Sequence, residues 1–196
     1  MGEIRSALDI ALEKTAHIEG DPSTAEHREL KNDGKRAANE FLEKGDPDSF
    51  MRILEGKNTE QATLIREGAI GIMLAALRLP ETEADLDKTA LIGKGLDAFL
   101  PASGVAALFG QVAQILKQYI GEKDRLKQAL EQQFMPKLRQ KQQELARRYG
   151  QTVPMELHQD PEYMAALSKN KRALEERYDA VLEEVRARIH EIAGIE

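Results

Sequence analysis

Residues 161–193 read PEYMAALSKNKRALEERYDAVLEEVRARIHEIA, and their spacing decides the fold. Leu174, Tyr178, Val181, Val185, Ile189 and Ile192 follow one another in steps of four and three. An α-helix turns once every 3.6 residues, so these steps collect six apolar side chains into one narrow stripe. A strand, with its period of two, would scatter them over both faces. The segment opens on Asp160-Pro161. Aspartate accepts hydrogen bonds from the free N–H groups of a helix start, and proline suits the first helical position because its missing N–H would have no partner there.

Upstream, Leu108, Val112, Ile115, Tyr119, Leu126, Leu130, Phe134, Leu138 and Leu145 keep helical spacing through residues 104–149. Pro136 interrupts them. A proline inside a helix removes one backbone hydrogen bond, which predicts a kink or a split at that point. Residues 150–159, with Gly150 and Pro154, form the connection to the last helix. Residues 101–196 therefore read as a long antiparallel helical hairpin, kinked near Pro136. Residues 123–148 carry eight basic and three acidic side chains, and residues 149–196 carry six and ten. One arm of the hairpin is basic and the returning arm acidic, so pairing between them is favoured.

The first hundred residues read as a multi-helix body, either standing apart from the hairpin or packing with it as a single domain. Gly20-Asp21-Pro22 and Gly45-Asp46-Pro47 each pair a glycine suited to a helix end with an Asp-Pro suited to the next start. They predict helices over residues 3–19, 22–44 and 47–55. Asn32-Asp33-Gly34 marks a break or kink in the second. Asn58 with Gln61 fits a capping box for a fourth helix, ended by Pro80, and a fifth runs from Thr82 to Leu100. The fold class is all-α.

Composition fits that reading: 41% of the residues are hydrophobic and 32% charged, without tryptophan. The absence of cysteine excludes disulfides, thiolate nucleophiles and cysteine-held metal. The most apolar run, Ala69 to Leu77, is far shorter than the ~20 residues a membrane span requires. The opening MGEIR leads into an amphipathic stretch rather than a secretory signal, which predicts a cytoplasmic protein.

Signals of chemistry are sparse. None of His17, His27, His158 and His190 stands in a His-Glu-x-x-His or Glu-x-x-His pattern, so zincin and di-iron arrangements are not indicated and no cofactor is implied. Glu13 and His17 share a helix face, and Glu156 and His158 share a connecting turn; both read as surface pairs. Gly93-Lys94-Gly95 lacks the spacing of a phosphate loop and has no preceding strand, which leaves close helix packing. Gly68 and Gly71 read the same way. The clearest candidate is the basic stretch Lys137, Arg139, Lys141, Arg147 and Arg148, interleaved with Gln140, Gln142 and Gln143. It fits a partner-facing helix surface or phosphate contacts, although the chain as a whole carries a net charge of −6.

The opening residues 3–15, EIRSALDIALEKT, with the Gly-Asp and polar helix that follow, resemble the start of an uncharacterised family of bacterial all-helical proteins. That resemblance covers about the first 80 residues and implies a bacterial cytoplasmic protein, with no activity or site residue to carry over. The expected function is that of a non-enzymatic interaction or assembly protein, with a protein partner or self-association as a homodimer. Nucleic-acid binding through residues 137–148 is a second class. A ligand pocket or enzyme site between the amino-terminal helices is a third.

Overall fold

The computed structural model describes residues 22–46, 51–151 and 154–195. The expected first helix, the start of the third (47–50), and the Glu13–His17 pair lie outside them. Among the described residues there is no strand, and five α-helices carry the fold: α1 (Pro22–Lys44), α2 (Thr59–Ala76), α3 (Asp85–Phe99), α4 (Val105–Tyr149) and α5 (Pro161–Ala193). The chain divides into two compact units, Met1–Ile72 and Met73–Glu196, with the division inside α2.

In the first unit, α1 buries Leu30, Gly34, Ala38 and Phe41 along one stripe. Asn32-Asp33-Gly34 does not break or end the helix as expected; α1 runs through it without interruption. The reason lies in the partner helix. A Cβ on Gly34 would collide with the backbone carbonyl of Ile65, and one on Gly68 with that of Lys31. The two backbones therefore meet through reciprocal glycines, and the cost of glycine in a helix is offset by that approach. Lys31 pairs with Glu67 beside the crossing, and His27 lies 3.5 Å from Glu60. The Asn58–Gln61 capping box forms, with Gln61 N–H donating to Asn58 Oδ1 at 2.8 Å and Asn58 N–H to Gln61 Oε1 at 3.3 Å.

The second unit is built on α4, unbroken for 45 residues across Pro136. Pro136 and Gln132, whose carbonyl loses its helical donor, are both exposed, so water replaces the missing bond and the helix is not split. Gly93 faces Phe109, and a Cβ there would come within 2.8 Å of the ring. The Gly-Lys-Gly segment thus seats α3 against α4.

α4 and α5 form the antiparallel hairpin. Tyr119 meets Tyr178 edge-on at 5.1 Å between ring centroids, and Phe134 meets Tyr163 at 5.7 Å. Fifteen residues separate the two rings on each helix, so one register holds from end to end. Such edge-on pairs contribute about 0.5–1.5 kcal/mol each beyond the area they bury. Each nucleates a cluster, with Ile115, Leu174, Leu79 and Leu86 around the first and Leu126, Leu157, Ala166 and Leu167 around the second. Of the expected α5 stripe, Tyr178, Val185 and Ile189 are buried, while Leu182 takes the place assigned to Val181, which is half-buried. Arg186 donates to the carbonyls of Leu74 and Leu77, so a cation on α5 meets carbonyls at and just past the end of α2.

Two glycines of α2 give a contrast. Gly68→Ala is expected to destabilise the fold by roughly 1–3 kcal/mol, because helices in backbone contact must separate. Gly71→Ala, with open space at its Cβ position, is expected to stabilise by about 0.5–1 kcal/mol. Urea melts of the two variants measure both changes.

Candidate interaction surface on the hairpin

Helical geometry divides the five basic candidates. Lys137 and Lys141, four residues apart, share the face toward α5. Lys137 Nζ lies 5.0 Å from the Phe134 ring centroid and 3.9 Å from Glu162. Lys141 donates to Asp160 at 2.9 Å and Glu162 at 3.3 Å. Both therefore pin the hairpin together. Arg139 and Arg147 point elsewhere, exposed and with no hydrogen bond or ion pair among the described residues. Arg148, also exposed, stacks 6.0 Å from the Tyr149 ring centroid. The five residues are not one surface.

Asp160 is the centre of the pinned group. It is 2% exposed and caps α5, accepting from the N–H groups of Glu162 at 2.9 Å and Tyr163 at 3.4 Å. The Lys141 ammonium is the main reason its carboxyl titrates below the ordinary aspartate range, and the two backbone donors act in the same direction. Asp160 in turn is the main cause that raises the Lys141 pKa, with Glu162 adding to it. The preceding turn is closed by Glu156 N–H donating to Gln159 Oε1 at 3.0 Å and by Gln142 donating to the Met155 carbonyl at 2.8 Å. Glu156 and His158 do meet, at 3.1 Å, and both are exposed.

A second group ties the other end of the hairpin. Lys123 donates to the Glu81 carbonyl at 2.6 Å and to its carboxylate at 3.1 Å, 5.6 Å from the Tyr119 ring centroid. Lys123 first, then Lys171, hold Glu81 below the ordinary glutamate range. Burial, with the nearby carboxylates of Glu175, Glu81 and Asp179, pushes the Tyr119 hydroxyl up to about 12. It stays protonated at any physiological pH. Arg177 pairs with Glu122 and lies 4.9 Å from the Tyr178 ring centroid.

Between these ends an open groove of about 460 Å³ runs along the hairpin. Leu126, Ala129, Ala173 and Leu174 line it, with Arg125 and Arg177 at its edges. Sequence reading passed over it because the groove requires the register of two helices, and none of its apolar residues is unusual alone. Its one sequence trace is the recurrence of Ala166, Ala173, Ala180 and Ala187 at steps of seven on α5.

Among the described residues no group of three or more histidine, aspartate and glutamate side chains is placed to hold a metal ion. No helix of those residues is long and apolar enough to cross a membrane.

Asp160 makes the hairpin sensitive to acid. A depressed carboxyl contributes stability that is complete above the unfolded value of ~3.9 and is lost as pH falls through the folded value. Tm is expected to drop from pH 7 to pH 3 in the parent protein. In Asp160→Asn, Tm is expected to start on the order of 5 °C lower and to fall less over that range. Circular dichroism melts at the two pH values measure the difference.

No curated protein and no solved structure matches the chain. A family model does, over residues 51–191, which takes in α2 to α4 and α5 as far as Glu191 rather than the opening stretch EIRSALDIALEKT. With most of its length matched, the chain belongs to the family of unknown function DUF6657.

Proposed function

We propose that this chain is a non-enzymatic interaction or assembly protein whose α4–α5 hairpin is its docking element. The observation that carries this reading is the apolar groove of about 460 Å³, which the hairpin's own seam leaves open. Exposed apolar surface in water has a cost, and a partner helix laid between α4 and α5 would remove it. Cation-capped aromatic clusters and the Asp160–Lys141 bond fix the groove's two walls at one separation, so little ordering is needed when a partner arrives. At the α1–α2 crossing, by contrast, backbone meets backbone and leaves no room for a ligand.

Arg139 and Arg147 support a second reading. Two exposed guanidinium groups without acidic partners among the described residues are available to phosphates. If nucleic acid is the partner, affinity at low salt is expected to fall steeply as salt rises. Changing Arg139, Arg147 and Arg148 together to Ala is then expected to reduce the salt slope by about 0.9 per lost phosphate contact on duplex DNA. Fluorescence anisotropy with labelled DNA and RNA tests it, and no binding at 50 mM salt removes this reading.

For the main proposal, the tagged full-length chain is recovered from its own cells and compared with Ala129→Glu/Ala173→Glu. Both positions are exposed, so the substitutions are expected to leave Tm within a few degrees of the parent. The proteins recovered with the parent, including untagged copies of the chain itself, are expected to be depleted at least tenfold with the variant. Identical recovery overturns the docking role of the groove.

A further inference from the structure

Resting on the reading of Arg139 and Arg147 as phosphate contacts, we infer that the outer face of α4 lies along a B-form DNA duplex. Lys117, Arg125, Arg139 and Arg147 would each meet a separate phosphate ridge.

Elimination picks these four from the nine basic side chains of α4. Lys123 is held by Glu81, Lys137 by Glu162, and Lys141 by Asp160 and Glu162, while Arg148 stacks on Tyr149. Lys127 turns to another side by its spacing. Lys117, Arg125, Arg139 and Arg147 are exposed and make no hydrogen bond or ion pair among the described residues. Along the same face stand the exposed glutamines Gln114, Gln118, Gln128, Gln132 and Gln143, whose amides can donate to phosphate oxygens. The four acids of α4 fall to either side of this row, and Glu122, at its edge, is paired with Arg177. Such a row offers donors rather than apolar area, which suits a phosphate backbone better than a partner helix.

Spacing names the duplex. Steps of 8, 14 and 8 residues separate the four cations. At a rise of about 1.5 Å per residue they stand about 12, 21 and 12 Å apart along the helix. The pair Lys117–Arg125 thus recurs as Arg139–Arg147 after 22 residues. That interval is about 33 Å and very nearly six whole helical turns, so both pairs face the same way. One turn of B-form DNA is about 34 Å. Its minor groove, about 6 Å wide between phosphate groups, sets the strands roughly 12 Å apart along the axis and leaves about 22 Å across the major groove. A helix parallel to the duplex therefore crosses phosphate ridges at alternating short and long intervals, and the cations match them to within about 1 Å. Midway between Lys117 and Arg125, Gly121 has open space at its Cβ position, in a hollow of about 700 Å³ that Gln114 and Gln118 also line. Bare backbone at that point lets the duplex come close. Duplex RNA, with a wide, shallow minor groove and a narrow major one, divides its turn differently, and the same cations fall out of step with it.

Fluorescence anisotropy of the full chain at about 50 mM salt compares four labelled probes. They are duplex DNA of about 24 base pairs, duplex RNA of the same length, single-stranded DNA, and a DNA duplex of about 9 base pairs. At ~3.4 Å per base pair the last is too short to meet all four cations. The long DNA duplex is expected to bind tightest, by roughly tenfold over the others, with a salt slope of about −3.6 for four contacts. Lys117→Gln/Arg125→Gln and Arg139→Gln/Arg147→Gln are each expected to halve that slope. Lys127→Gln/Lys169→Gln removes the same charge away from the row and is expected to leave the slope unchanged. All six positions are exposed, and circular dichroism melts check that each variant folds. A slope that the row variants leave intact, or that the control pair lowers equally, overturns the assignment of these four residues while nucleic-acid binding stands. Equal or tighter binding of duplex RNA, single-stranded DNA or the short duplex overturns the match to B-form DNA. No binding to any probe overturns both the inference and the phosphate reading it rests on.

Discussion

The contact between Tyr119 and Tyr178, repeated by Phe134 and Tyr163 fifteen residues along, fixes how α4 and α5 lie against each other. Every other feature of the hairpin depends on that register. It brings Lys141 to Asp160 and Arg177 to Glu122, so each aromatic pair has an ion pair near it. It also lets a cation lie over the ring, Lys123 at Tyr119, Lys137 at Phe134 and Arg177 at Tyr178. Two long helices joined only at one end would slide easily if aliphatic side chains alone filled the seam, because one leucine fits another's place at little cost. Bulky rings at two separated levels remove that freedom, since a shift by one turn would leave both pairs unmatched.

The same register explains why the basic stretch has two roles. Seen as a linear motif, Lys137, Arg139, Lys141, Arg147 and Arg148 form one positive block. Folded, Lys137 and Lys141 belong to the clasp around Asp160 and Glu162, and Arg139 and Arg147 belong to the outer surface. The division follows from helical spacing alone: residues four apart share a face, and residues two apart do not. That part was legible before any coordinates. The partner of Lys141 was not, because Asp160 looks from sequence only like the cap of the next helix. It performs both tasks with one carboxylate, whose two oxygens accept from backbone and ammonium together.

Legibility elsewhere follows the range of the interaction responsible. The Asn58–Gln61 box, the Asp160-Pro161 start and the glycine ends at Gly150 and Gly194 were readable, because each is decided by residues within one turn. Gly34 was read through its local propensity as a break or a kink and Pro136 as a kink or a split; both helices run on unbroken, and the surroundings account for that. At Gly34 a neighbouring helix uses the missing Cβ. At Pro136 the lost hydrogen bond faces water, so the expected penalty is small. The groove was illegible for the same reason: Leu126 and Leu174 are ordinary seam residues until a second helix fixes which of their sides is left uncovered.

The uneven charge of the hairpin is larger than its internal pairing needs. Lys141 and Lys137 meet Asp160 and Glu162, and Arg177 meets Glu122, yet among the described residues Arg125, Arg139 and Arg147 on α4 take no part in such pairs. On α5, Glu175 and Glu176 pair within their own helix, with Lys171 and Arg172. Exposed pairs of that kind contribute only about 0.3–0.5 kcal/mol and exchange partners readily. Hairpin stability therefore accounts for the charges that face the seam and not for the excess of cations on the outer face of α4. A surface selected only for solubility mixes both signs, as α5 does with six basic and seven acidic side chains, whereas α4 carries nine basic and four acidic ones. Cations beside an uncovered apolar groove are the arrangement expected where charge orients an incoming helix and apolar burial holds it.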